Sequence, residues 1–404
     1  MKTGKIRLWS IILAGQACIL ITAIIAGYAG PATAAPATDA VAVKEWQLPA
    51  LATMTGPVAA LGIPALQGAK YAVEEINAGG GVRGVPIKLV EYDTAMDPAK
   101  SVAAMARAIP GSLMVLGPFF SPEFTAVNQQ LRDNRIPAIN GNSTSFQLSA
   151  SAPYSVSLTQ SQITGIVMTG LEWLKLQPNI KSVAVFMDPS SPNQRLWVDG
   201  MTKGFANVGT TTLNIEMSLR QIDFGPAVIK ALGAKVDGYY DFGMAAAHSA
   251  IAKELHNRGA TPGANYIGLP TAYGPELFTI GKGYLENSYL WDNVNPLDTS
   301  PRYQKLDETY KREHKGQAPT GEVAEWYDAV YAFKTAVETL KLTGNPGNIA
   351  QERQAISNFL YNSGPLQGIQ YRYRYVKGEK MAPFTLMQIK NNAITVINSN
   401  IATP

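Results

Sequence analysis

From Trp46 onward the chain alternates strand-like and helix-like segments with short links, and it does so in two successive series. Such alternation confines the fold to parallel sheets covered on both faces by helices. In the first series "WQLPALA" reads as a strand, Ala65 to Ala78 as a helix and Val85 to Tyr92 as a strand. Asp97-Pro98 then offers an N-cap with proline at the first helical position, opening "AKSVAAMARAI". The strand "LMVLG", the helix "EFTAVNQQLRDN" after Ser121-Pro122, and the strand "IPAIN" complete it. The second series begins after Ser157, with a helix over Gln162 to Leu176, the strand "SVAVFMD" and a helix near Gln194 to Asn207. It continues through "TTLNIEM", a helix near Pro226 to Leu232, "VDGYYDF", a helix over Ala245 to Arg258, and "ANYIGL". Long helical stretches follow at Pro301 to His314, Glu322 to Leu342 and Ile349 to Leu360, before the β-like "IQYRYRYV", "FTLMQIK" and "AITVINS". The predicted class is α/β, with two doubly wound parallel-sheet lobes.

One stretch imitates a nucleotide-binding loop. "NAGGGVRGVP" holds Gly79, Gly81 and Gly84 at G-x-G-x-x-G spacing. A dinucleotide loop must follow a strand and open a helix, so that pyrophosphate rests on the helix N-terminus. Here Ala69, Ala72, Val73 and Ile76 lie upstream at helical spacing, and Val85, Ile87 and Leu89 alternate downstream. The glycines end a helix and feed a strand, with Gly79 expected in the left-handed C-cap conformation.

The N-terminus reads as an export leader. Lys2, Lys5 and Arg7 precede an apolar run from Leu8 to Ala29, and Ala32-Thr33-Ala34 supplies small residues for cleavage after Ala34. The alternative is a retained anchor helix, since the run is long enough to span a bilayer. Cleavage removes Cys18 and three positive charges, taking the formal net charge from +4 to +1. A nearly neutral chain has no electrostatic footprint for nucleic acid. The remaining length of about 370 residues points to two domains.

Catalytic signals are absent. The three histidines, His248, His256 and His314, bring no metal-ligand spacing, and no nucleophile elbow, phosphate-loop lysine, C-x-x-C or H-E-x-x-H occurs. Tyr371, Tyr373 and Tyr375 interleave with Arg372 and Arg374, which is either a base-stacking platform or a two-faced strand; the second reading is preferred. Chemistry that could hold a solute lies in loops after predicted strands, where open α/β sheets bind ligands. These are Thr55-Gly56-Pro57, Phe119-Phe120-Ser121 and Asn142-Ser143-Thr144. Helix-start N–H groups and hydroxyls there suit a carboxylate, although Ser121 and Thr144 could equally serve only as helix caps.

"TGPVAALGIPALQGAKYAVEEINAGGGVRGVPIKLVEYDTAMDPAKSVAAMARAI" resembles the opening of the leucine/isoleucine/valine-binding protein family. These are type I periplasmic solute-binding proteins of ABC importers. The likeness continues through "VLGPFFS", "RIPAIN", "DGYYDF" and "YDAVYAF". It implies two lobes joined by three crossovers, one of 44–157 plus 290–367 and the other of 158–289 plus 368–404. It also implies a periplasmic monomer that works with a membrane permease, needs no cofactor and catalyses nothing. A related repressor family carries an N-terminal DNA-binding motif where this chain has its leader. The resemblance assigns the solute's carboxylate to Phe120, Ser121 and Asn142 to Thr144, and the side-chain pocket to Leu61. In the second lobe it puts Pro192 and Gly243 where relatives place aromatic residues. Pro270 stands where an acidic residue would pair with an ammonium group, with Asp188, Asp241 or Glu325 as substitutes. Ala95 occupies a position of a disulfide found in relatives. A buried ammonium without a carboxylate partner is costly, so the expected solute is a small organic or aromatic acid. The alternatives are a branched-chain or other amino acid, a sensory receptor of the same fold, and, least favoured, a secreted hydrolase.

Overall fold

The computed structural model describes residues 40–56, 58–141, 145–218 and 221–403. The expected leader, residues 1–34, lies outside the described residues.

The first series builds β1 (Trp46–Ala52), α1 (Ala59–Ala78), β2 (Ile87–Asp93), α2 (Pro98–Ala108), β3 (Val115–Leu116), α3 (Ser121–Asn134), β4 (Ala138–Asn140), α4 (Ser145–Ala150) and β5 (Ser155–Ser157). Its five strands are parallel, in the order β2-β1-β3-β4-β5. The second series builds α5 (Gln162–Leu176), β6 (Ser182–Met187), α6 (Pro192–Ala206), β7 (Thr211–Glu216), α7 (Gly225–Gly233), β8 (Gly238–Asp241), α8 (Ala245–Asn257), β9 (Tyr266–Gly268), α9 (Pro275–Thr279) and β10 (Tyr289–Asp292). Then come α10 (Pro301–Glu313), α11 (Gly321–Thr339), α12 (Ile349–Tyr361), β11 (Leu366–Gln367), β12 (Arg372–Val376), β13 (Glu379–Met381), β14 (Phe384–Lys390) and β15 (Ala393–Ile401). The second sheet has seven strands, β15-β14-β10-β9-β8-β6-β7, with β14 antiparallel to both of its neighbours.

Both parallel sheets share one winding, in which the second strand lies outside the first and the third lies on its other side. That order reverses direction between β1 and β3, and again between β6 and β8. A crevice opens beyond the carboxyl ends of strands at such a reversal. Apolar residues that face both layers explain the buried runs. β6, "SVAVFM", is buried from Val183 onward, whereas the edge strand β7 buries only Ile215 fully.

The structure alters several expectations. β10 pairs with β9 and β14, so Tyr289–Asp292 belongs to the seven-stranded sheet and not to the lobe expected to resume at 290. Residues 372–381 form a small antiparallel sheet whose Tyr373 and Tyr375 enter the core around β1 and α1, away from the lobe expected to hold 368–404. β12 is two-faced as expected, with its tyrosines buried and Arg372 and Arg374 exposed. α1 starts at Ala59, six residues before its predicted start, and runs through Pro64. The glycine turn is a helix-to-strand link as expected, but Gly79 has φ −82°, and the left-handed residues are Gly80 (+98°), Gly81 (+77°), Arg83 (+52°) and Gly84 (+80°). The helix ends at Ala78 as predicted, and Gly81 N–H reaches back to Ile76 O at 2.9 Å to close it.

Candidate functional site

The loop after β1 is shaped by one carboxylate at the end of β2. Asp93 Oδ1 accepts from Met54 N (2.9 Å), Thr55 N (3.3 Å) and Ala95 N (3.0 Å), and Oδ2 accepts from Thr55 Oγ1 (2.6 Å). Burial alone would raise this carboxyl, but donation from Thr55, Met54 and Ala95 holds it below the usual range. Leu61 lies in the first turn of α1, half-buried against the first lobe's core.

The loop after β3 leads into α3. Phe120 is the N-cap and Ser121 the first helical residue, so the alternative that Ser121 itself caps the helix is not what forms. The cap comes instead from Glu123, whose Oε2 accepts from Phe120 N at 3.0 Å while Oε1 accepts from Ser101 Oγ at 3.2 Å. Glu123 is fully buried, and desolvation pushes its carboxyl upward despite those donors. Replacing Glu123 with alanine leaves the Phe120 N–H without its acceptor, whereas Ser101 Oγ keeps Asp97 O at 2.9 Å. The expected loss is about 2 kcal/mol, read as a lower urea midpoint. An unchanged midpoint would contradict this account of the loop.

An aromatic wall stands beside this loop. Phe119 meets Phe120 edge-on at 4.7 Å and stacks on Trp326 of α11 at 6.1 Å. Gly141, after β4, sits where a Cβ would come within 3.0 Å of the Phe119 ring. Trp326 Nε1 is buried without an acceptor among the described residues. Asn142, Ser143 and Thr144 lie outside the described residues.

In the second lobe Pro192 is exposed at the first position of α6. Gly243 is buried just past β8, where a Cβ would crowd Ala247 and both Asp241 oxygens. Pro270 opens a short 3-10 turn after β9, half-buried. All three therefore follow carboxyl ends of strands in the seven-stranded sheet. Two of the substitute carboxylates are already engaged. Asp241 accepts from Gly243 N (2.9 Å) and lies 3.0 Å from His248 Nδ1, whose ring stacks on Tyr266. Asp188 accepts from Ser190 N and Ser190 Oγ. Glu325 is the third, buried in α11.

The crossovers between the sheets are bound to one another. Gln160, after β5, donates from Nε2 to Pro383 O (3.0 Å) and Asn293 O (3.4 Å). Tyr371 OH also donates to Asn293 O. Lys380 lies 3.8 Å from Asp328 and above the Tyr373 ring at 4.5 Å, while Asp328 Oδ1 accepts from Ile369 N at 2.7 Å. Burial, opposed by Lys380, raises Asp328, and the same pair of causes leaves Glu325 well above the carboxylate range. Asp292, at the carboxyl end of β10, is pushed up to about 8 by burial and then by the Glu322 charge. Sequence reading missed this group except for Glu325. The only signal was a pair of acids three apart, Glu325 and Asp328, in the otherwise apolar "VAEWYDAVYAF".

Two wound lobes with a reversal point each, tied by three crossovers, define a clamp that holds a small molecule. The chain belongs to the leucine/isoleucine/valine-binding family of type I periplasmic binding proteins, as the resemblance implied: the family profile described as periplasmic binding protein matches residues 45–393. Members are substrate-binding components of ABC transporters and not enzymes. The chain is 27% identical over 254 residues to the Leu/Ile/Val-binding protein BraC3 of Rhizobium johnstonii, covering 62% of this chain and 68% of that one. In fold it is similar to the Streptococcus pneumoniae branched-chain amino acid binding protein LivJ, solved with isoleucine (TM-score 0.72, 18% identity, covering 89% of this chain and 100% of that one). It is also similar to a Rhodopseudomonas palustris solute-binding protein solved with 3,4-dihydroxybenzoic acid (TM-score 0.74, 16% identity, 90% and 99% covered). Among the described residues no helix is long and apolar enough to cross a membrane, and no group of three acids, histidines or cysteines is placed to hold a metal ion.

Proposed function

We propose that this protein is the receptor of an ABC importer for a small organic acid with an apolar, preferably aromatic, body. The observation that carries this reading is the Phe119–Phe120–Trp326 wall beside the start of α3, with proline at position 270. The N-terminus of α3 favours a carboxylate through its dipole. Phe120, half-buried where Phe119 and Trp326 are buried behind it, offers an aromatic face to a planar apolar body. Leu61, Phe120, Ser121 and Asn142 to Thr144 form the first lobe's side of the site, and Pro192, Gly243 and Pro270 the other. Two carboxylates that might have met an ammonium group, Asp188 and Asp241, are occupied by their own loops. The bound dihydroxybenzoic acid of the Rhodopseudomonas palustris protein fits the same reading.

A second reading is import of a branched-chain amino acid, favoured by the name of the Rhizobium relative and by the isoleucine in the Streptococcus structure. Thermal-shift measurements with benzoate-type acids, aliphatic acids, leucine and valine separate the two. A ligand at 100 times its Kd adds about 2.7 kcal/mol to the folded state. The aromatic acids are expected to raise Tm and the amino acids to leave it unchanged. Stabilisation by leucine or valine alone would reject the acid.

A further inference from the structure

The crossovers carry three buried side-chain oxygens with no hydrogen-bond donor among the described residues. Gln160 leaves the carboxyl end of β5, Asn293 leaves that of β10, and Glu325 lies in the second turn of α11, next to Trp326 of the aromatic wall. Their exposures are 1%, 5% and 5%. Gln160 Oε1, Asn293 Oδ1 and Glu325 Oε1 have no hydrogen-bond partner among the described residues. The Gln160 orientation is not arbitrary: its Nε2 donates to two main-chain carbonyls, which leaves Oε1 as the free end. Tyr371 links the group, donating to Asn293 O, touching the Gln160 side chain and sensing the charges of Asp328, Glu325 and Asp292. Lys380 is the buried cation of this cluster, and it is directed to Asp328 and the Tyr373 ring. A buried acceptor without a donor is unfavourable, so native folds meet such oxygens with protein, water or ligand. Since these residues leave the ligand edges of both sheets, the missing donor has an obvious source in the solute.

We propose that Gln160, Asn293 and Glu325 form a subsite for a hydrogen-bond-donating group of the solute, a hydroxyl or a protonated amine at the end opposite its carboxylate. This rests on the reading of the site as an acid receptor and narrows it. The solute is a bifunctional acid, and an analogue whose donor is capped leaves the oxygens unmet. Sites built to bond a hydroxyl reject the molecule lacking it by far more than sites that merely enclose a methylene discriminate.

Calorimetric titration of the whole chain with four probes tests this: benzoate, 4-hydroxybenzoate, 4-(aminomethyl)benzoate and 4-methoxybenzoate. At least one donor-bearing probe is expected to bind 30-fold or more tightly than the methoxy compound. The hydroxyl and amine arms show whether the subsite takes a neutral or a charged donor. In Glu325→Gln the ratio for the preferred donor is expected to fall at least fivefold. The wild-type series decides the matter even if that variant fails to fold. Equal binding of the methoxy and both donor-bearing probes overturns the subsite and leaves the acid reading intact. No binding by any carboxylate overturns both.

Discussion

Gly68→Ala is expected to destabilise the protein by about 3 kcal/mol, or to prevent folding, through a single added methyl group. A Cβ at position 68 would lie 2.0 Å from Val323 O and 2.7 Å from the adjoining carbonyl carbon. The obstacle is main chain at the start of α11, so no rotamer change relieves it. Either α1 and α11 separate, opening a core that includes Ala65, Ala69, Ala72 and Val330, or the backbone strains. Overpacking of this kind costs ~1–3 kcal/mol where side chains can give way, and the upper end applies where they cannot. Gly233→Ala is the control: nothing lies within 4 Å of its added methyl, and it ends α7. It should be neutral or slightly stabilising. Equal urea midpoints for the two variants would show that α1 and α11 do not approach as closely as described.

The second large effect concerns pH. Asp292 is 8% exposed, and burial followed by the Glu322 charge pushes its carboxyl from 3.8 up to about 8. A carboxyl raised by folding binds its proton more tightly in the native state. Below 3.8 both states are protonated and the group costs nothing. Between 3.8 and 8 the native state pays an increasing penalty, which levels off above 8 and reaches about 6 kcal/mol when the shift is taken at 1.36 kcal/mol per unit. Wild-type stability should therefore decline from pH 5 to pH 9, while Asp292→Asn, which keeps the shape without the charge, declines much less. Denaturant midpoints at pH 5, 7 and 9 test this. Parallel curves for the two proteins would remove Asp292 as the cause.

Local signals wrote the βα series plainly. Apolar runs gave the parallel strands, Asp97-Pro98 and Ser121-Pro122 gave helix starts, and helix-before-strand order dismissed the nucleotide loop. Missed features depended on partners far along the chain. Pro64 reads as a helix breaker, yet α1 carries it because packing against α11 outweighs the local preference. β10 looks like the end of a series until β14, almost a hundred residues later by sequence, pairs beside it. Within the site, the loops at Phe120 and Ser121 were readable as strand-end segments. Glu123 as their cap was visible in principle, since a glutamate three residues after the N-cap is a known signature. The acids at the crossovers were not, because Asp292, Glu325 and Asp328 converge only after both sheets have formed.

Since β14 lies between β10 and β15 at the heart of the larger sheet's closing edge, the final twenty-odd residues are a keystone for the second lobe. Synthesis runs from the N-terminus, so the five-stranded lobe has all its strands by Ser157, whereas its companion waits for Ile401. Any nascent form of this protein must spend most of its elongation with the first sheet's strands made but neither half's core closed, because α11 and β12 reach the first core late and β14 reaches the second later still.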